Sequence, residues 1–290
     1  MEPIKVVGVI GSGTMGSGIA QVHLKYGFSV VLCDVTDAIL ARAVEKITKG
    51  LSRDVEKGRL TADEKNKALA RLKTSTDLAA LAGVDIAIEA VIEKFEAKRD
   101  VFHTLEAGPL GGRTEVIFAS NTSSISITRL AAETKRAARF IGLHFFNPVP
   151  VMTLVEVVAG LETAEETVAA VTELGTKLGK TPVRANDFPG FVSNRVLMPM
   201  INEAVFALME GVADAKGIDT VMKLGMNHPM GPLELADFIG LDVCLDIMKV
   251  LYEGFHDSKY RPCPLLEKMV ASGRMGRKSG QGFYIYSGAK

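Results

Sequence analysis

Residues 4–16 read IKVVGVIGSGTMG, an apolar run that passes directly into the turn Gly11-Ser12-Gly13-Thr14-Met15-Gly16. A short apolar run without alternation suits a parallel strand buried on both faces. Helical spacing follows over 15–26, with Met15, Ile19, Val22 and Leu24 apolar. A second apolar run, FSVVLC at 28–33, leads to Asp34. Strand, glycine turn, helix, strand and acidic residue within about 30 residues make a βαβ unit that grips a dinucleotide. In such a unit Gly11 permits the tight turn, Gly13 lets a pyrophosphate approach the backbone, and Gly16 lets the helix pack on the strand. Ser12, Thr14 and Met15 complete the turn, whose N–H groups and helix dipole meet the pyrophosphate. Asp34 can accept both ribose hydroxyls and would repel a 2′-phosphate, and Val35 and Thr36 bring no arginine to receive one. NAD is therefore expected over NADP.

The alternation continues with strand candidates at 84–92, 115–120, 138–145 and 151–158, and Val183 to Ala185 ends the sheet. Residues 37–73, rich in charge and helix formers, read as two long helices around a break at Gly58. From Phe188 the character becomes helical, and NDFPG at 186–190 punctuates the change. The expected fold is an α/β Rossmann-like dinucleotide-binding domain over 1–186, with a helical arm at about 37–73. A mostly α-helical C-terminal domain follows over 187–290. The stretch 190–209 is apolar on more than one face, so it must be covered on several sides. The core of the second domain and a subunit interface fit it equally.

Lys plus Arg number 34 and Asp plus Glu number 34, so neither nucleic acid nor an anionic membrane surface is an expected partner. No apolar run approaches a membrane span. The N-terminal residues MEPIKVVGVIG read as a first strand, not a signal peptide. Cys33, Cys244 and Cys263 show no CxxC spacing, so no metal site is expected and a reducing, cytoplasmic setting fits.

His144 ends an apolar strand in HFFNPVP. Taken by itself, a histidine there is more often a satisfied core residue than a catalytic one. Three features point to catalysis. Hydride removal from an alcohol leaves a proton to be taken. Pro148 and Pro150 force a turn after the strand, where ligands bind in α/β sheets. Glu156 falls inside the apolar stretch TLVEVV, where a carboxylate needs a partner, and a turn near Pro150 folds it back beside His144. An arginine would serve Glu156 as partner too.

The stretches VGVIGSGTMGSGIA, DIAIEAVIEKFEAK, FASNTSS, GLHFFNPVPVMTLVEVV, DFPGFVSNR and GRKSGQGFYIY span nearly the whole chain. Together they resemble the L-3-hydroxyacyl-CoA dehydrogenases, and within that family the stand-alone bacterial 3-hydroxybutyryl-CoA dehydrogenases. Ser12 stands where that family commonly has Ala. The resemblance implies reversible NAD-dependent oxidation of an (S)-3-hydroxyacyl-CoA, with 3-hydroxybutyryl-CoA going to acetoacetyl-CoA. It implies His144 as general base, Glu156 as its orienting partner, and Ser123 and Asn194 on the substrate oxygen and acyl group. It also places Glu93, Lys98, Asn147 and Lys278 near the nicotinamide half of NAD, with Asn121 in the same loop as Ser123. Without it, Lys98 and Lys278 read as solvated surface charges. A homodimer is expected from the resemblance and from the apolar stretch at 190–209.

A CoA substrate carries phosphates. Residues 46–73 hold nine Lys or Arg against four acids, an excess of five in a neutral chain, and the family places its CoA-contacting arm there. Arg53 and Lys57 are the individual candidates, and a solvated hairpin with ordinary charge pairs fits each of them as well. A dehydrogenase of a free hydroxy or sugar acid is the alternative enzyme, against which the basic excess argues. A protein that binds the cofactor without turnover is the non-enzymatic alternative. The joint presence of His144, Glu156, Ser123 and Asn194 argues against it.

Overall fold

The structure, a computed structural model, describes residues 3–286. The first apolar run forms β1 (Val6–Ile10), the glycine turn opens α1 (Thr14–Lys25), and β2 (Ser29–Cys33) follows. Next come α2 (Asp37–Glu56), α3 (Ala62–Ala70), β3 (Leu72–Ser75), β4 (Ile86–Glu89) and α4 (Phe95–Ala107). The unit is completed by β5 (Ile117–Ser120), α5 (Ile127–Ala132), β6 (Phe140–Phe145), β7 (Leu154–Ala159), α6 (Glu165–Lys177) and β8 (Thr181–Asn186). One sheet runs β3-β2-β1-β4-β5-β6-β7-β8. Its first six strands are parallel, β7 runs antiparallel to β6, and β8 is parallel to β7. Val7, Val9, Ile86, Ile88 and Ala119 are fully enclosed at its centre, because helices cover both faces of a parallel sheet. Each such valine or isoleucine is worth about 1.5–3 kcal/mol relative to exposure.

Three expectations shift. The arm is not two long helices. α3 has nine residues, opened by a capping box between Thr61 and Glu64, and the chain then joins the sheet edge as β3, with Leu72 opposite Val30. The strand expected over 84–92 stops at Glu89, because the backbone turns there and the Val91 N–H donates to the Glu89 side chain at 2.6 Å. The strand expected from 151 begins at Leu154. The Val149 and Met152 carbonyls before it accept the buried Lys180 ammonium at 2.6 and 2.5 Å, which holds 149–152 as a loop.

The chain divides into two compact units between Asp187 and Phe188. The second holds α7 (Ser193–Met209), α8 (Ala215–Gly225), α9 (Pro232–Ile239), α10 (Leu241–Phe255) and α11 (Pro264–Ala271). Met198, Ile201 and Val205 of α7 pack with Leu233, Leu241, Cys244 and Leu251 in its core. Helical spacing gathers the buried residues of α7 into one stripe and leaves Val196 68% exposed, so among the described residues of this unit the helix is covered on one side. Buried Asp237 accepts the Phe283 and Tyr284 N–H groups and the Tyr286 hydroxyl, each at 3.0 Å, and so ties the C-terminal segment to α9. Among the described residues no helix is long and apolar enough to cross a membrane.

His23 of α1 is fully buried against the edges of Phe28 and Phe145. Its Nδ1–H donates to the Ile19 carbonyl at 2.8 Å, and Nε2 has no partner. Burial pushes the pKa down to about 4, against the pull of the Ile19 bond. The unfolded chain takes the proton near pH 6.5 and the folded one does not, so stability is lost as pH falls from 6.5 toward 4. By pH 4.5 the loss should reach about 2–3 kcal/mol. Thermal melts should show the parent losing several degrees more than His23→Gln over that range, and parallel curves would contradict the account.

Candidate active site

The glycine turn leaves β1 with Gly11 at φ +93°, its N–H donating to the Cys33 carbonyl at 2.9 Å. A side chain at Gly11 would press on the Ala90 carbonyl at 2.7 Å, and one at Gly16 would overlap the Gly11 carbonyl oxygen. Around Gly13 nothing lies within 4 Å of where a side chain would begin. Gly13 is also the N-cap of α1 and offers no side-chain cap, so the first N–H groups of the helix are left for an outside acceptor. Thr14 is exposed there, while Met15 packs against the core. This open, donor-rich cradle fits a pyrophosphate.

Asp34 follows β2. One of its oxygens, Oδ2, accepts the Ser12 N–H and hydroxyl at 2.6 and 2.7 Å, and Oδ1 accepts the Val35 N–H at 2.7 Å. Burial works to raise this carboxyl, but the three bonds outweigh it and hold it below the usual range. An ionised Asp34 beside the cradle suits ribose hydroxyls. The cleft at Ser12, Gly13 and Thr14 is also lined by Arg42 and Lys46 of α2. Their position on α2 brings them back to the turn although they are remote from Gly11 in sequence.

A second cluster forms where β4 and β5 end. Glu89 is fully buried, and Lys98 of α4, which without the family resemblance reads as a surface charge, is 1% exposed. The Lys98 ammonium donates to Glu89 Oε1 at 2.8 Å and pairs with Glu93 Oε2 at 3.1 Å. Glu89 Oε2 accepts the Ser120 hydroxyl at 2.6 Å. Glu93 Oε1 accepts the Thr122 hydroxyl at 2.5 Å and the Ser123 N–H at 2.8 Å, with the Ser123 hydroxyl and the Ser124 N–H and hydroxyl at 3.2 Å. Burial works to raise Glu93, but Lys98 and the Thr122 bond lead the interactions that bring it below its ordinary value. For Glu89 burial wins, and its carboxyl is raised. Asn121 joins this cluster to β6: its N–H donates to the Glu89 carbonyl at 2.8 Å, and its Oδ1 accepts the Phe145 N–H at 3.0 Å. Glu93, Lys98, Asn121 and Ser123 are thus brought together. Glu89, Ser120 and Thr122 belong with them, although only Glu89 carries a sequence signal, as a carboxylate inside an apolar strand.

The antiparallel pairing of β6 and β7 sets His144 directly opposite Glu156. Residues so placed share a face of the sheet. His144 Nδ1 lies 2.7 Å from Glu156 Oε2, and the two residues are 8% and 2% exposed. A carboxylate only accepts, so Nδ1 carries the hydrogen and Nε2 is the basic nitrogen of the ring. The Phe146 ring lies 4.6 Å from the imidazole, between centroids. Asn147 is exposed in the following loop, which Lys180 anchors from below.

Two expected residues belong to the second unit. Asn194 is buried in the first turn of α7, and Lys278 pairs with Asp242 at 2.5 Å. Arg53 and Lys57 lie at the C-terminal end of α2, roughly 25 Å along its axis from its start beyond Asp34. Both are exposed, and among the described residues neither forms an ion pair. Asp54 between them is taken by Lys25 and Arg59, so it is not the partner of either.

Residues 6–188 match the family model of the 3-hydroxyacyl-CoA dehydrogenase NAD binding domain, and residues 190–286 match that of the C-terminal domain. The chain is 56% identical over 279 residues to a probable 3-hydroxybutyryl-CoA dehydrogenase of Deinococcus radiodurans, covering 96% of this chain and 99% of that one. It is 55% identical over 287 residues to a 3-hydroxybutyryl-CoA dehydrogenase of Bradyrhizobium diazoefficiens, covering 99% and 97%. The crystal structure of (S)-3-hydroxybutyryl-CoA dehydrogenase from Ralstonia eutropha superposes with a TM-score of 0.94 at 51% identity, over 98% of this chain and 99% of that one.

Proposed function

We propose that this chain, which belongs to the 3-hydroxyacyl-CoA dehydrogenase family, reversibly oxidises the 3-hydroxyl of a short (S)-3-hydroxyacyl-CoA, with His144 as the base. The observation that carries the reading is the 2.7 Å bond between His144 and Glu156, in the same unit as an NAD cradle. NAD, held by the glycine turn and Asp34, would supply the hydride acceptor for C3. The chain's own residues handle the rest. Nε2 of His144 takes the hydroxyl proton, while Glu156 holds the Nδ1–H tautomer and stabilises the imidazolium that results. In the reducing direction the same nitrogen returns the proton to the carbonyl oxygen. Ser123, held by Glu93, is the proposed contact to the substrate oxygen, and Asn194 is proposed to help hold the acyl group.

Along NAD, Asp34 is read on the adenosine ribose, the glycine turn on the pyrophosphate, and Glu93, Lys98, Asn121, Asn147 and Lys278 toward the nicotinamide. Arg53 and Lys57 are proposed for the CoA phosphates, supported by their exposure and freedom from ion pairs among the described residues. A 3-hydroxybutyryl-CoA substrate is supported by the names of the relatives in Deinococcus, Bradyrhizobium and Ralstonia. Pairing of two chains is part of the proposal. Val221, Leu224 and Met226 of the second unit are 60%, 83% and 61% exposed, as the apolar side of an interface would be in a lone chain.

The direct test follows NADH oxidation with acetoacetyl-CoA, longer 3-ketoacyl-CoAs and free acetoacetate side by side. Acetoacetyl-CoA should have the highest kcat/KM and His144→Ala should abolish turnover. Free acetoacetate turned over at comparable kcat/KM would defeat the CoA reading. Glu156→Gln should lower kcat by about 10²–10⁴-fold with NAD affinity nearly intact. Weak NAD binding with full turnover at saturation would show that Glu156 has another task.

A further inference from the structure

In sheets of this kind ligands lie outside the carboxyl ends of the strands. With the pyrophosphate at the turn after β1 and the ribose at Asp34 after β2, the strand order sends the nicotinamide half toward the ends of β4 and β5. Glu89 and Ser120 are the last residues of those two strands. The cluster there contains two carboxylates, the enclosed Glu89 and Glu93 at 37% side-chain exposure, against the one ammonium of the enclosed Lys98. Among the described residues no other cation forms an ion pair with either carboxylate.

An enclosed carboxylate at position 89 needs a reason. Burying a charge costs several kcal/mol even after relaxation. The geometry of the loop does not by itself require a charge at position 89, because a glutamine oxygen would accept the same Lys98 and Val91 bonds, the ammonium bond more weakly for want of the charge. Burial raises the Glu89 carboxyl, yet its neighbours are the Val91 N–H, the Lys98 ammonium and the Ser120 hydroxyl. The Val91 N–H and the Lys98 ammonium can only donate, and both meet Oε1, so that oxygen serves the anion; the Ser120 hydroxyl on Oε2 fits either form.

We propose that the Glu89–Lys98–Glu93 cluster is a fixed negative charge at the nicotinamide end of the site, favouring the cationic oxidised cofactor over the neutral reduced one. The inference rests on the NAD reading but not on the identity of the acyl substrate. Glu89 acts through charge and through Lys98, and is a positioning residue, not a catalytic one.

The test is a titration of the whole protein with NAD+ and with NADH at one pH and ionic strength, by calorimetry or fluorescence. Glu89→Gln should raise the ratio Kd(NAD+)/Kd(NADH) about three- to tenfold. That is the effect of a unit charge at ~10 Å with an effective dielectric between ~25 and ~50. Ser120→Ala removes a hydrogen bond and no charge, so it should leave the ratio within about twofold of the parent. Glu93→Gln makes the same charge change from the other end of the cluster and decides the matter if Glu89→Gln does not fold, as judged by circular dichroism. Equal weakening of both forms by either charge-removing variant that folds would overturn the proposal and leave the cluster a loop anchor. A parent that binds both forms but does not turn over acetoacetyl-CoA would sink the proposed function without touching this inference.

Discussion

The register between β6 and β7 is the constraint on which the catalytic reading depends. Twelve residues separate His144 from Glu156, and the antiparallel ladder places them opposite each other on one face. A slip of one residue would turn Glu156 to the other face and leave a buried imidazole and a buried carboxylate without each other. The loop between the strands is therefore held firmly: Lys180, reaching from the start of the neighbouring β8 edge, takes two of its carbonyls. The order of strands does the rest, since six parallel strands end on one side and carry their ligand-binding loops there.

Carboxylates that collect several donors recur in this site. Glu93 gathers the 122–124 loop through one oxygen, while Asp187 gathers the next segment by accepting the Ser126 hydroxyl and the Ile127 and Thr128 N–H groups. A loop pinned this way at both ends keeps Ser123 in place without covering it with apolar side chains. The cost is that removing any one carboxylate strands several donors at once, which makes the network a sensitive place for substitution.

Much of this was legible before any coordinates. The βαβ unit could be read because glycine spacing, apolar runs and a terminal acid are local features. Glu156 could be placed because a carboxylate in an apolar strand demands a partner, and prolines midway from His144 supply the turn. Glu89 carries that same signal in VDIAIEAVI, and its partner Lys98 lies nine residues on in a helix. Their meeting depends on how α4 packs on β4, which periodicity alone does not contain. Arg42 and Lys46 reach the cradle for a similar reason, through the path of α2 after Asp34. The edge strand β3 escaped notice because a four-residue polar strand, LKTS, has no apolar pattern of its own and exists through its pairing with β2.

The account stands most directly on the tautomer of His144. Nitrogen-15 NMR of the imidazole, in the protein with NAD bound, reads it without recourse to rates. The account predicts the tautomer hydrogen on Nδ1, as a downfield proton shared with Glu156. A ring carrying its hydrogen on Nε2 would contradict it, because the nitrogen facing Glu156 would then have no proton to give and the other no basic lone pair for the substrate hydroxyl.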